Sequence, residues 1–172
     1  MTYEIQAGLQ VSLDYNPSNG TGTWYPLTDH NRGPIAIAPT VIEKSARMAD
    51  GTMRKYVIAS KDTISTSWSK LPSRSYNPDG SLNYTTVDKG YSSAWLSAFY
   101  KANVFVPIYL KVVHSKDTIP SLKGSVPDDS TYQTARTTYD IYKVFITKFD
   151  VQTTHRNHNI DFVEMNIEFT EI

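Results

Sequence analysis

The sequence predicts a mainly β chain, an antiparallel β-sandwich or barrel with one flanking α-helix over about residues 91–102. Three observations carry this. Apolar residues recur at every second position over several long stretches, the period of a half-buried strand. Turn signals separate those stretches, and twelve tyrosines with many threonines suit a pleated surface. One segment stands out for the three- and four-residue spacing of an amphipathic helix.

The elements follow in order. Tyr3, Ile5, Ala7, Leu9, Val11, Leu13 and Tyr15 hold the odd positions, so the N-terminus reads as a long strand or a hairpin bent near Gly8. Asn16 to Gly22 and Asn31 to Pro34 are loops by their turn chemistry. Ile35 to Met48 is extended, with Pro39 marking an edge or a bulge. Asp50-Gly51 then turns the chain, and residues 52–60 return antiparallel. Ile64, Thr66 and Trp68 alternate with Ser65, Ser67 and Ser69, a short strand with a dry and a wet face. Asn77-Pro-Asp-Gly80 is a further turn.

Tyr91, Ala94, Trp95, Ala98, Phe99 and Ala102 form the apolar stripe of the helix. Ser92 or Asp88 is placed to cap it, and Lys101 sits favourably in its last turn. Val104, Val106, Ile108, Leu110 and Val112 give the next strand an aliphatic face, with Pro107 on the other. Two closing strands are expected at about 137–152 and 160–172, joined by 153–159. In the last, Val163, Met165, Ile167 and Phe169 face one way, and Phe162, Glu164, Asn166 and Glu168 the other. Trp68, Trp95, Phe99, Val106, Ile108, Met165 and Ile167 are the expected core, and cutting Trp95 or Phe99 to alanine is expected to cost roughly 3–5 kcal/mol.

The 172 residues suit a single domain, 1–172, with long loops at about 73–90 and 115–135. Seventeen basic residues balance seventeen acidic ones, without the basic footprint of a dedicated nucleic-acid binder. The absence of cysteine excludes disulfides, thiolate zinc sites and cysteine nucleophiles. The opening Met1-Thr-Tyr-Glu-Ile-Gln shows no secretory pattern, and the apolar run Val104 to Leu110, broken by Pro107, is too short to span a membrane. A soluble protein made in a cytoplasm, without membrane insertion, is expected.

The residues point away from an enzyme. His155-x-x-His158 falls in a predicted turn with Arg156 between and no cysteine nearby, so no metal is expected. Asp29-His30 has no indicated nucleophile, and no nucleophile elbow, P-loop or dinucleotide fingerprint occurs, so no cofactor is expected. Asp128-Asp129 reads as turn chemistry, and Glu164 and Glu168 stand about 13 Å apart along one strand, too far for an ordinary carboxyl pair. A hydrolase built on Glu164 with Asp128 or Asp129 is therefore the least favoured reading. Trp24, Tyr25, Tyr76, Tyr84 and Tyr132 lie in or beside loops, where aromatic rings can cover the sandwich ends, stack on sugars or anchor a protein interface.

Ala46-Arg-Met-Ala-Asp-Gly-Thr-Met-Arg-Lys-Tyr-Val-Ile-Ala59, followed by Ser60-Lys-Asp-Thr-Ile-Ser-Thr-Ser-Trp-Ser-Lys-Leu-Pro72, resembles structural tail proteins of long-tailed, non-contractile bacteriophages. The shared pattern is a Met-x-Asp-Gly hairpin, an Arg-x-Tyr strand, Ser-x-x-Trp and Leu-Pro. An aromatic helix, an apolar strand and a closing strand pair follow in both, so the likeness runs from about residue 35 onward. The resemblance implies a tail-tube-like β-fold in a homo-oligomeric ring of six subunits that contacts other tail proteins. It also implies a place in the virion, assembled in the cytoplasm of the bacterial host, with DNA passing through the channel without specific binding. Glu164 and Glu168 are then candidates for the channel face. A minor or distal tail protein is favoured over a major tube subunit or tail terminator, and a carbohydrate-binding β-sandwich module is the alternative of another class. The loops around 73–90 and 115–135 are expected to carry subunit contacts and to order on assembly, with Tyr76, Tyr84 and Tyr132 as anchors.

Overall fold

The computed structural model describes residues 8–115 and 137–172. The chain order is β1 (Leu9–Ser12), β2 (Tyr25–Leu27), β3 (Ala36–Arg47), β4 (Met53–Pro72), β5 (Ser75–Tyr76), β6 (Leu82–Asn83), α1 (Ser93–Asn103), β7 (Ile108–Ser115), β8 (Thr137–Arg156) and β9 (Asp161–Glu171). Seven strands form one sheet in the order β2-β1-β7-β8-β9-β4-β3, antiparallel throughout, and β5 and β6 form a separate small hairpin. The fold is thus mainly β with a single helix among the described residues.

The sheet curls towards closure. Four residues after β2 ends, the Ser69 amide donates to the Asn31 carbonyl at 3.0 Å, and the Gly33 amide donates to the Ser67 carbonyl at 2.7 Å. The connector from one sheet end therefore lies against β4 near the other. Trp68 locks this meeting: its indole Nε1 donates to the Thr28 carbonyl at 2.7 Å in a buried site. Inside lie Leu9 and Val11 of β1, Ile64, Trp68 and Leu71 of β4, and Ile108, Leu110 and Val112 of β7. Tyr142, Val144 and Ile146 of β8 and Val163, Met165, Ile167 and Phe169 of β9 complete the strand contribution. Each fully buried aliphatic side chain here stabilises by roughly 1.5–3 kcal/mol.

The dry face of β9 and the Ile64–Thr66–Trp68 face of β4 are as the alternation predicts. Other elements differ. Residues 52–60 and 64–69 belong to one twenty-residue strand, because the ladder with β3 runs straight through the charged Lys61-Asp62 step. The N-terminal strand covers Leu9–Ser12 among the described residues, and Leu13 is exposed. It stops where the Asp14 carboxylate gathers the Thr23 amide at 2.7 Å, the Thr23 hydroxyl at 2.9 Å and the Ser12 hydroxyl at 3.0 Å. Residues 1–7 lie outside the described residues. Val104 and Val106 are not strand residues: Val104 caps α1 in helical geometry, the Val106 amide donates to the Asn103 carbonyl, and Val106 is exposed. β8 runs four residues further than expected, and the turn tightens to 157–160, with the Asn157 amide donating to the Ile160 carbonyl.

Helix α1 is rotated from its expected seat. Its buried residues are Ser93, Leu96 and Phe99. Trp95 is only half-buried, and Ala98 and Ala102 face solvent. Tyr91, Trp95 and Phe99 instead stack as a ladder along the helix flank, at centroid spacings of 4.0 and 4.9 Å. Ser92 occupies the N-cap, but its hydroxyl donates to the Ser73 carbonyl, tying the helix start to the end of β4. Phe99→Ala is accordingly expected to cost about 3–5 kcal/mol, and Trp95→Ala about 2 kcal/mol in proportion to its half burial. Urea unfolding of the two variants checks this, and equal losses would restore the original orientation.

Residues 73–90 are not a featureless loop. Besides the β5–β6 hairpin they hold a turn knotted by Asp88, whose carboxylate accepts from the Thr28 and Thr86 hydroxyls, the Asp29 amide and the Gly90 amide. Glycine is required at 90, where a Cβ would stand 2.3 Å from Thr28 Cα. Burial alone would raise the Asp88 pKa, but these four donors together hold it below 3.8. A depressed carboxylate stabilises the fold fully above its ordinary value, and that stability is lost as pH falls through the lower folded value. Asp88→Asn is expected to lower stability by about 1–2 kcal/mol at pH 7, with the gap to wild type closing well below pH 3.8. Thermal melts of both proteins along a pH series measure it.

Candidate assembly surface

The most unusual surface is the far end of the β3–β4 hairpin. β9 accompanies β4 only from Thr63 onward, so residues 53–62 pair with β3 alone. The base is anchored where the Lys61 ammonium donates to the Ile172 carbonyl oxygen and the Asp62 amide donates to Glu171 Oε2 at 3.1 Å. Beyond it, at strand rise, the ribbon projects roughly 25 Å. Its tip is built by Asp50-Gly51. Gly51 takes φ +81°, and Asp50 Oδ1 accepts from the Thr52 amide at 2.9 Å and the Thr52 hydroxyl at 2.6 Å. The Thr52 hydroxyl bond, then its amide, hold the Asp50 carboxyl below the usual range.

This arm carries apolar residues on both of its faces. Val41 and Val57 share one face with the Glu43–Lys55 ion pair, while Ile42, Ala59 and Tyr56 share the other, as the pairing register requires. The register shifts between Ile42 and Glu43, leaving Ile58 as the extra residue of a bulge. Met53, Tyr56, Val57 and Ile58 are 67%, 60%, 59% and 72% exposed. A two-stranded ribbon with both faces in water is marginal alone, and clustered exposed apolar residues mark contact surfaces. The twelve-residue β3 also has an open edge among the described residues, where unpaired backbone groups can meet another chain.

The predicted anchors fall elsewhere. Tyr76 ends β5 and Tyr84 follows β6, each 43% exposed, with the Arg74 guanidinium 6.0 Å from the Tyr76 ring. Tyr132, like Asp128, Asp129 and most of the 115–135 loop, lies outside the described residues. Glu164 and Glu168 both stand on the outward face of β9. Glu164 is exposed opposite Gln152. Glu168 is half-buried, accepts from the Thr147 hydroxyl at 3.3 Å, and lines a depression of about 370 Å³ with Ser65, Ser67, Lys148 and Asn166.

The other candidates are engaged within the fold. Tyr25 packs on Tyr91 and Trp95, and Trp24 sits between Tyr15 and the Lys111 ammonium, which is 4.1 Å from its ring. Neither indole nor phenol offers the bare platform a sugar needs. Asp29 gives its carboxylate to Arg32 and the Gly8 amide, not to an acid–base pair with His30. His155 is the penultimate residue of β8, beside Phe162, and His158 lies in the next turn. Among the described residues no three metal-ligating side chains gather.

No protein-family model and no curated protein matches the chain. Sequence reasoning missed the arm as a surface. Its signal was the adjacent pair Val57-Ile58, which breaks alternation and marks the bulge.

Proposed function

We propose that the chain is a structural subunit of a long, non-contractile phage tail that self-associates into a ring around the DNA path. A minor or distal tail protein is the preferred position, ahead of a major tube or terminator subunit. The observation that supports this reading most is the β3–β4 arm, apolar on both faces and too exposed to serve its own core. The arm spans the same residues, 46–59, that open the tail-protein pattern. The polar outward face bearing Glu164 and Glu168 suits a channel wall that must not hold phosphate.

A carbohydrate-binding module is the second reading, favoured only by exposed Tyr76 and Tyr84. Negative-stain electron microscopy of the purified protein, run beside a glycan array, separates them. Rings or short tubes without glycan retention are the expected result. Particles that stay single and are retained on glycans would favour the binding module.

A further inference from the structure

A cavity of about 560 Å³ opens where three irregular stretches of backbone meet. His30 and Asn31 come from the β2–β3 connector, Lys70 and Pro72 from the end of β4, and His155 and Phe162 from the β8–β9 hairpin. Asn31 takes φ 55° and Lys70 takes φ 53°. Asparagine tolerates that region, but a lysine there is uncommon and strained. The β4–β9 register also shifts between Trp68 and Leu71, and the β8–β9 register between Thr153 and His155. Bulges bend sheets, and bending alone could explain two of these irregularities. The β4 bulge also admits the positive φ of Lys70, as a turn admits that of Lys89, and it sets Lys70 on the cavity wall with His30 and His155.

The chemistry of the walls is one-sided. Lys70, His30 and His155 supply donors from three segments, and no carboxylate lines the cavity. The adjacent acids are engaged elsewhere, Asp29 with Arg32 at 2.6 Å and Asp161 with Arg156 at 3.8 Å. The Asn31 amide makes only a long 3.5 Å bond to the Lys70 carbonyl, so it retains donor capacity. Phe162 and Pro72 provide flat apolar wall, the usual partner of a few convergent polar groups in a ligand site. Donor-bearing residues contributed by three segments suit a tetrahedral oxyanion, with lysine as its point charge.

The geometry points to a binding site for a phosphate ester of a planar ring, in the manner of a nucleoside monophosphate. The phosphate sits among Lys70, His30 and His155, and the ring lies on Phe162. This site is independent of the assembly reading, since it lies at the far end of β4 and not on the arm. The test is calorimetric titration of the full chain at low salt with adenosine monophosphate, adenosine and inorganic phosphate. Adenosine monophosphate is expected to bind at least tenfold more tightly than either fragment. Lys70→Gln and, separately, His155→Gln are expected to weaken it at least fivefold while leaving the thermal midpoint near wild type. A 5′-phosphorylated single-stranded oligonucleotide distinguishes sources: tighter binding assigns the site to a strand end, weaker binding to the free nucleotide. Absence of binding, affinity equal to that for inorganic phosphate, or binding untouched by both substitutions would overturn the assignment.

Discussion

Trp68→Ala is expected to be the most damaging single substitution in the described core, at roughly 4–8 kcal/mol. Removing a fully buried large aromatic side chain costs about 3–5 kcal/mol through lost burial and the cavity left behind. The indole is 2% exposed and also donates to the Thr28 carbonyl, which then loses a buried donor, adding about 1–3 kcal/mol. For a domain of ordinary stability, about 5–15 kcal/mol, such a loss removes much of the folded population at 37 °C. Trp68→Phe separates the two contributions, because it keeps most of the ring and loses the hydrogen bond. Its expected cost is about 1.5–3 kcal/mol. Urea unfolding monitored by circular dichroism measures both. A loss below about 1 kcal/mol for Trp68→Ala would mean that the connector does not close the sheet against β4.

Trimming the arm is expected to have the opposite profile, with little effect on folding and a large effect on assembly. Deleting residues 43–58 and joining Ile42 to Ala59 through Asn-Gly removes side chains that are all exposed, keeps the Ile42–Ala59 register, and leaves the base at Lys61 and Asp62 intact. The change in unfolding free energy should stay within about 1 kcal/mol, since exposed positions contribute little. Association should fall by at least a hundredfold, because Met53, Tyr56, Val57 and Ile58 leave together. A milder pair, Val57→Asp and Ile58→Asp, places charge on the same surface and should weaken association at least tenfold without shortening the ribbon. Sedimentation velocity over a concentration series reads the effect.

The legible part of the fold is where alternation and burial coincide. Val163 to Phe169 and Ile64 to Trp68 alternate cleanly because one face of each strand meets the core. Alternation misled at Val104 and Val106, where apolar residues occupy the helix-to-strand turn and Phe105 is 90% exposed. The aromatic spacing predicts one buried face of the helix, yet Leu96 sets its seat and the rings stack sideways. Tertiary contacts, not periodicity, decide which side of a short amphipathic helix is buried.

The site was less legible than the fold. Apolar residues in a strand read as buried, so Tyr56, Val57 and Ile58 give no sign that the ribbon runs out beyond the sheet. That fact depends on where β9 stops pairing, which is set by the distant Thr63–Thr170 pair. The Asn77–Gly80 turn between Tyr76 and Tyr84 is legible because it is written in local chemistry. The positive φ of Lys70 has no local signature, since lysine does not favour that conformation.

The arm as a subunit contact is tested most directly by proximity. The chain has no cysteine, so Ile58→Cys creates one attachment point for a maleimide-linked benzophenone at the most exposed position of the bulge. Irradiation of the labelled protein at assembling concentration is predicted to give a ladder of covalent dimers and higher multimers. The same label at Ser97→Cys, on the helix, is predicted to give little. A labelled arm that yields only monomer, or no more multimer than the helix label, would contradict the account.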